Sequence, residues 1–387
     1  MQPFAKVGGA HVISAPMNTQ STPLPAHRWK SPLQEMTQTT ATCLWSDSAA
    51  LDELRTALEH GAVGATCNPV IALGIIKARL AEWRPRIASL SRQYPAATED
   101  ELAWAAVEWL SKEAAALLEP AFAEHRGRNG RLSIQTDPRF YRNAAALVRQ
   151  AQHFDTLAPN MIVKIPATSA GITAIEEATA LGISINATVS FTLPQCVAVA
   201  EAVERGLQRR DAGGHDTSTM GPVCTIMVGR LDDWLKAVVE RDGVVTDPGE
   251  LDWAGVAVFK KTYGLFRARG YRTRLLSAAF RHHLHWSELI GGDIVVSPPP
   301  SWQQRFFKSD VVVTARMPVP VAPAIVDALY RRFEDFRSAY DEAGLAPEAF
   351  DGYAPTRRTL RQFLAAGAEL SQVVRDVLLP DPETIQA

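Results

Sequence analysis

The chain has 387 residues, 47% apolar and 21% charged, which excludes a small stapled module and whole-chain disorder and suits one large catalytic domain with an appendage. A net charge of −2 gives no basic field for nucleic acid or an anionic membrane, and no stretch reaches the ~18 apolar residues of a membrane span. Cys43, Cys67, Cys196 and Cys224 are too scattered for a disulfide framework or a zinc knuckle, so a soluble cytoplasmic enzyme is expected ahead of a helical scaffold.

Residues 1–38 read as a weakly ordered N-terminal tail, because Pro, Ser, Thr and Gln alternate there without a sustained apolar period. Eight short apolar runs follow. They are TATCLWS (40–46), VGATCN (63–68), RLSIQT (131–136), MIVKIPA (161–167), ISINATVS (183–190), PVCTIMVG (222–229), RLLSAAF (274–280) and DIVVSP (293–298). Amphipathic helical stretches alternate with them, and that alternation favours right-handed parallel crossovers. Runs apolar on both faces suit strands buried beneath helices. The fold expected is α/β, a (β/α)8 TIM barrel over residues 39–300. About 60 residues after the second strand predict an insertion of two or three helices, and residues 301–387 predict a helical extension packed on the barrel. No GxGxxG or GxxxxGK[ST] follows a strand, so nucleotide use has no sequence support.

In such barrels catalytic groups stand at the C-terminal strand ends. The ends here offer Asp47, Asn68, Gln135, Lys164, Thr188, Arg230 and Arg281. Lys164 interrupts an apolar strand in a chain with nine lysines against 31 arginines. Burial disfavours an ammonium, so a nucleophilic amine able to condense with a ketone is expected, against a lysine that snorkels to water. Asp47 fits both a helix cap and a general base, and Asn68, before Pro69, fits a cap or a substrate contact. Arg230 and Arg281 end adjacent strands and together suit a phosphate, while each alone suits a surface salt bridge. His282, His283 and His285 do not share one helical face, and no zinc set is expected. Asn186 begins an Asn-X-Ser/Thr acceptor pattern only inside a strand expected to be buried.

Taken together these segments resemble the transaldolase family of Schiff-base barrel enzymes. The likeness rests on ATCNPV, on VKIPATSAGITAIEEATALGISINATVSFTLPQ, on MVGRLDDW and on SAAFR, in that order between residues 40 and 300. The resemblance implies that Lys164 forms an iminium with a ketose phosphate and that Asp47 is the general acid/base. It implies that Asn68, Asn186 and Thr188 meet hydroxyls and water, and that Arg230 and Arg281 bind phosphate. A dihydroxyacetone unit would pass from a donor such as fructose 6-phosphate or sedoheptulose 7-phosphate to an aldehyde acceptor, in pentose phosphate pathway chemistry. No cofactor or metal is implied, since the iminium is the electron sink, and homodimers are common among similar proteins.

Four positions depart from that pattern. Gln135 stands where the family has a water-activating glutamate, and the fructose 6-phosphate aldolase subgroup is similar in carrying glutamine there. Met227 stands where that subgroup has tyrosine and ordinary transaldolases have phenylalanine. Thr225 replaces a substrate-contacting serine, and Ala279 a phosphate-binding serine. Two alternatives to transfer follow: aldolase-like cleavage or use of an unusual sugar, and a non-catalytic sugar-phosphate-binding barrel.

Overall fold

The structure is a computed structural model that describes residues 29–383. All eight apolar runs form strands, as expected. They are β1 (Cys43–Ser46), β2 (Ala62–Cys67), β3 (Arg131–Gln135), β4 (Met161–Pro166), β5 (Ile185–Ser190), β6 (Val223–Ile226), β7 (Arg274–Ala278) and β8 (Val295–Ser297). Each pairs in parallel with the next, and β8 pairs with β1 to close the barrel.

Helix α1 (Pro32–Thr39) precedes the barrel and α2 (Leu51–Glu59) joins β1 to β2. The insertion after β2 holds α3 (Pro69–Ala78), α4 (Leu80–Gln93) and α5 (Glu99–Glu124). Helices α6 (Ala144–Asp155), α7 (Ser169–Ala180) and α8 (Leu193–Ala212) follow β3, β4 and β5. The β6–β7 connection contains α9 (Val228–Asp242), α10 (Pro248–Leu251) and α11 (Ala254–Arg269), and α12 (Leu284–Ser287) precedes β8. Beyond the barrel lie α13 (Pro300–Phe307), α14 (Pro323–Arg332), α15 (Glu334–Tyr340) and α16 (Ala354–Leu378). Among the described residues no helix is long and apolar enough to cross a membrane.

Every residue of β3, β4, β5 and β7 is buried, as two-sided coverage requires. Their outward side chains join the helices in one large core. Trp45, Ile162, Val223, Leu276, Ala278 and Val295 form a second, smaller cluster that fills the barrel. Trp45 is its largest member, and it leaves no room opposite. A Cβ on Gly64 would lie 2.5 Å from the indole, so β2 can pass the ring only as glycine. Gly64→Ala is expected to cost about 1–3 kcal/mol by overpacking, seen as a lower urea midpoint at unchanged slope.

The tail reading of residues 1–38 needs one correction. Residues 1–28 lie outside the described residues, but Pro32–Thr39 form α1, capped by Ser31, which accepts the Gln34 N–H. Leu33 and Met36 are fully buried, and the Met36 sulfur accepts the Trp286 indole N–H. Two apolar residues are too few to show a helical period. Their burial depends on β1 and α13, which α1 packs against.

Two long helices shape the barrel mouth. Helix α5 starts at a reciprocal capping box between Thr98 and Glu101 and packs under β2 and β3. Helix α16 touches α3, α4 and α5 and also α9 and β5, so the C-terminal extension lies along the C-terminal side of the strands.

Candidate active site

Lys164 lies on β4 between Gln135 of β3 and Asn186 of β5, its register partners on either side. Its side chain is 3% exposed, and no hydrogen bond or salt bridge ends on its amine among the described residues. Burial pushes the ammonium well below its ordinary value, although Asp47 pulls the other way; Arg230 adds to the fall. A snorkelling lysine would show none of this.

Asp47 immediately follows β1, and one carboxylate oxygen accepts the Thr66 hydroxyl at 2.5 Å. The cap alternative fails, since α2 has Ala50 at its N-cap and no side-chain cap hydrogen bond. Ser48 accepts the Ala50 N–H and donates to Glu53, while the Asp47 carboxylate is held by Thr66 of β2. Asn68 does cap, its side-chain oxygen accepting the Ile71 N–H at 3.0 Å at the start of α3.

Between these groups lies a ring of buried polar side chains. Asn186 donates to Ser133 at 3.0 Å and accepts from Thr225 at 2.7 Å. The Thr225 hydroxyl proton is thereby committed to orienting Asn186, which differs from a direct substrate contact. Gln135 Oε1 and Thr188 Oγ1 are buried without a partner among the described residues. Gln135 is the register partner of Lys164, and Thr188 pairs with Pro166, two residues beyond it, so both residues lie on the strands either side of β4. Met227 is buried and adds no polar atom from its side chain; its N–H donates to Ser190 O at 3.0 Å.

Thr188 precedes a strained residue. Val189 has φ 53°, which a β-branched side chain rarely adopts, within an irregularity of the β5–β6 register. Gln195 supports the strain. Its amide donates to Ala167 O and Val189 O, its oxygen accepts the Phe191 N–H, and its amide also reaches Thr356 of α16. No sequence signal marks this role, although Gln195 closes the quoted FTLPQ segment.

Arg230 and Arg281 lie beyond the strands that they were expected to end. Arg230 is in the first turn of α9, and Arg281 is three residues past β7. They converge all the same, and α16 adds Arg358 and Gln362 to a cleft of about 390 Å³ that also holds Asp233. Arg230 donates to Gln362 at 2.6 Å, and burial pushes its guanidinium down to about 10, with the Arg281 and Arg358 charges acting in the same direction. Arg281 forks onto Asp233 at 2.8 Å. Three guanidiniums against one carboxylate leave a net +2 in the cleft.

The Arg281 segment is held unusually tightly. Ala279 has φ 64°, and a Cβ at Gly229 would sit 2.1 Å from its carbonyl oxygen, so the two loops meet only because residue 229 is glycine. The Arg281 N–H donates to His285 Nδ1, and His285 Nε2 lies 2.7 Å from Asp232. His282 Nε2 reaches the same carboxylate oxygen at 3.1 Å. The three clustered histidines do not converge, as expected, since His283 turns to Ser287; two of them meet, because α12 begins only at Leu284 and Asp232 arrives from α9. The ligand atoms of Asp232, His282 and His285 lie within 4.8 Å of one another. A metal, however, would need the His285 Nε2 lone pair, and the Arg281 N–H on Nδ1 puts the ring proton on Nε2. The cluster is a brace for Arg281.

A closed (β/α)8 barrel with a dry lysine on its inner wall, a carboxylate nearby and a cationic cleft formed by Arg230, Arg281 and Arg358 defines a lysine-centred barrel protein. The family model described as Transaldolase/Fructose-6-phosphate aldolase matches residues 44–345, and the chain belongs to this family. It is 35% identical over 159 residues to "Transaldolase 2" of Streptomyces avermitilis, covering 41% of this chain and 43% of that protein. It is 30% identical over 234 residues to "Transaldolase" of Thiobacillus denitrificans, covering 57% and 63%. Similarity to "Transaldolase" of an Arthrobacter species is lower, 26%, but extends over 345 residues, 86% and 87% of the two chains. The match to the first two relatives thus spans less than two thirds of their length.

Proposed function

We propose that this protein transfers a three-carbon dihydroxyacetone unit from a ketose phosphate to an aldose phosphate through a Schiff base on Lys164. The desolvated Lys164 amine supports the reading most strongly, since a neutral amine is the form that attacks a carbonyl. Lys164 adds to C2 of the donor and water leaves to give an iminium. Asp47 takes the C4 hydroxyl proton as the C3–C4 bond breaks, and the electron pair passes to the iminium as an enamine. An aldehyde departs, an acceptor aldehyde captures the enamine carbon, and hydrolysis frees the new ketose. The unmatched oxygens of Gln135 and Thr188 suit a water or substrate hydroxyl beside C2. Gln135 cannot ionise, so Asp47 remains the base.

The net +2 of the Arg230–Arg281–Arg358 cleft matches a phosphate monoester dianion. Arg358 compensates for the donor missing at Ala279. Arg358→Ala is expected to raise KM for fructose 6-phosphate about tenfold with little change in kcat, and to leave KM for unphosphorylated fructose unchanged. Equal effects on both sugars would remove Arg358 from the phosphate site.

Gln135 favours a second reading, aldolase-like release of free dihydroxyacetone. Incubation with fructose 6-phosphate, with and without erythrose 4-phosphate, separates the two: transfer needs the acceptor, cleavage does not. Borohydride reduction in the presence of fructose 6-phosphate should add mass at Lys164. A protein that only binds sugar phosphates would show no such adduct.

A further inference from the structure

One sizeable cavity does not belong to the mouth. It opens at the N-terminal ends of the strands, holds about 570 Å³ and is lined by residues next to the starts of β3, β6, β7 and β8 together with the last turn of α11. In a barrel this face usually serves stability, and part of it does so here. Arg274, the first residue of β7, donates to Asn129 Oδ1 at 2.8 Å and to Arg128 O at 3.2 Å. Arg128 in turn forks onto Asp293 at 2.7 Å.

Three observations exceed that structural role. Arg274 is 9% exposed and has no carboxylate on its guanidinium among the described residues, and the neighbouring buried Arg131 satisfies its own donors with three backbone carbonyls. Arg267 reaches the same cavity from α11 and makes no side-chain hydrogen bond or ion pair among the described residues. Thr273, 4% exposed, lines the cavity, and its buried hydroxyl has no partner among the described residues. A carboxylate brace explains Arg128, and Glu204 and Asp211 neutralise Arg272. Among the described residues nothing uses the Arg267 guanidinium or the Thr273 hydroxyl.

The balance of charge points to the ligand. Arg267 and Arg274 leave two positive charges uncompensated around an acceptor-seeking hydroxyl. That set suits the dianionic head of a phosphate monoester, which accepts from guanidinium and hydroxyl alike. The cavity is far larger than a phosphate, and its size falls in the range of small-molecule pockets. Tyr263, Phe266 and Tyr271 supply apolar wall for an organic remainder.

We propose that the N-terminal end of the barrel is a second binding site, for a small organic phosphate, separate from the Lys164 mouth and built on Arg267, Thr273 and Arg274. This inference does not rest on the proposed reaction, since the mouth has its own cationic cleft.

Phenyl phosphate is a suitable probe, being a dianionic monoester with no carbonyl to react with Lys164. Calorimetry on the full chain should find two molecules bound. Arg267→Ala combined with Thr273→Val, an exposed and an isosteric change that leave Arg274 and its packing in place, should weaken one of them about tenfold and spare borohydride trapping at Lys164. Arg358→Ala should weaken only the other. A single bound molecule that responds to Arg358→Ala alone would overturn the proposal, as would double-variant binding equal to wild type. Lost trapping at Lys164 with both molecules still bound would instead count against the proposed reaction and leave this site standing.

Discussion

Lys164→Met abolishes turnover in the expected outcome, lowering it by about 10⁴-fold or more, and the chain becomes harder to unfold. The two effects share one cause. The amine sits 3% exposed with no salt bridge, so the folded chain holds a charge-bearing group in a dry place. Methionine keeps much of the volume and removes the ionisable group. The gain should depend on pH in a set direction. The folded amine's pKa is lowered from 10.5, the value that it keeps when unfolded. Between the lowered pKa and 10.5 the unfolded chain binds the extra proton, so wild-type stability rises with pH through that window. The advantage of Lys164→Met is therefore largest below the window and shrinks towards pH 10.5. Urea titrations of both proteins across pH 6 to 10 read this directly; a constant gap would mean that the lysine is not desolvated.

Asp47→Asn should separate bond cleavage from imine formation. An amide oxygen still accepts the Thr66 hydroxyl, so the loop after β1 keeps its anchor. The base is gone, however, and kcat should fall about 10²- to 10⁴-fold, while borohydride still traps fructose 6-phosphate on Lys164. Asp47 also holds the Lys164 pKa up, so its removal lets that pKa fall further. The pH at which trapping reaches half its maximum should move to lower values in the variant. Unchanged turnover would place the base elsewhere, and loss of trapping would make Asp47 a positioning group for the amine.

The strands were readable because each is a local apolar run, and burial of both faces leaves a continuous signature. Lys164 was readable for the same reason, as one cation within such a run. Arg230 and Arg281 were found through their neighbourhood, although they stand on a helix turn and a loop beyond the strand ends. Arg358 was not found at all. Nothing around it distinguishes it from the other arginines of an amphipathic helix, and only the path of α16 beside α9 and β5 brings it to the cleft.

Other parts of the site have no local trace. Asp232 meets His282 and His285 from about 50 residues away, and Gln195 ties the ends of β4 and β5 together through backbone carbonyls that any sequence would offer, and reaches the Thr356 hydroxyl of α16. Helix α1 is similar, a two-residue apolar contact that becomes a buried helix once β1 and α13 are present. The amino-acid order alone specified eight strands, their alternation with helices and the one lysine set among apolar neighbours, since these follow from nearest-neighbour periodicity and desolvation. Closure of the barrel chose which distant charges face that lysine and which oxygens stay unmatched beside it, because Coulomb and hydrogen-bond energies depend on separation in space and not along the chain.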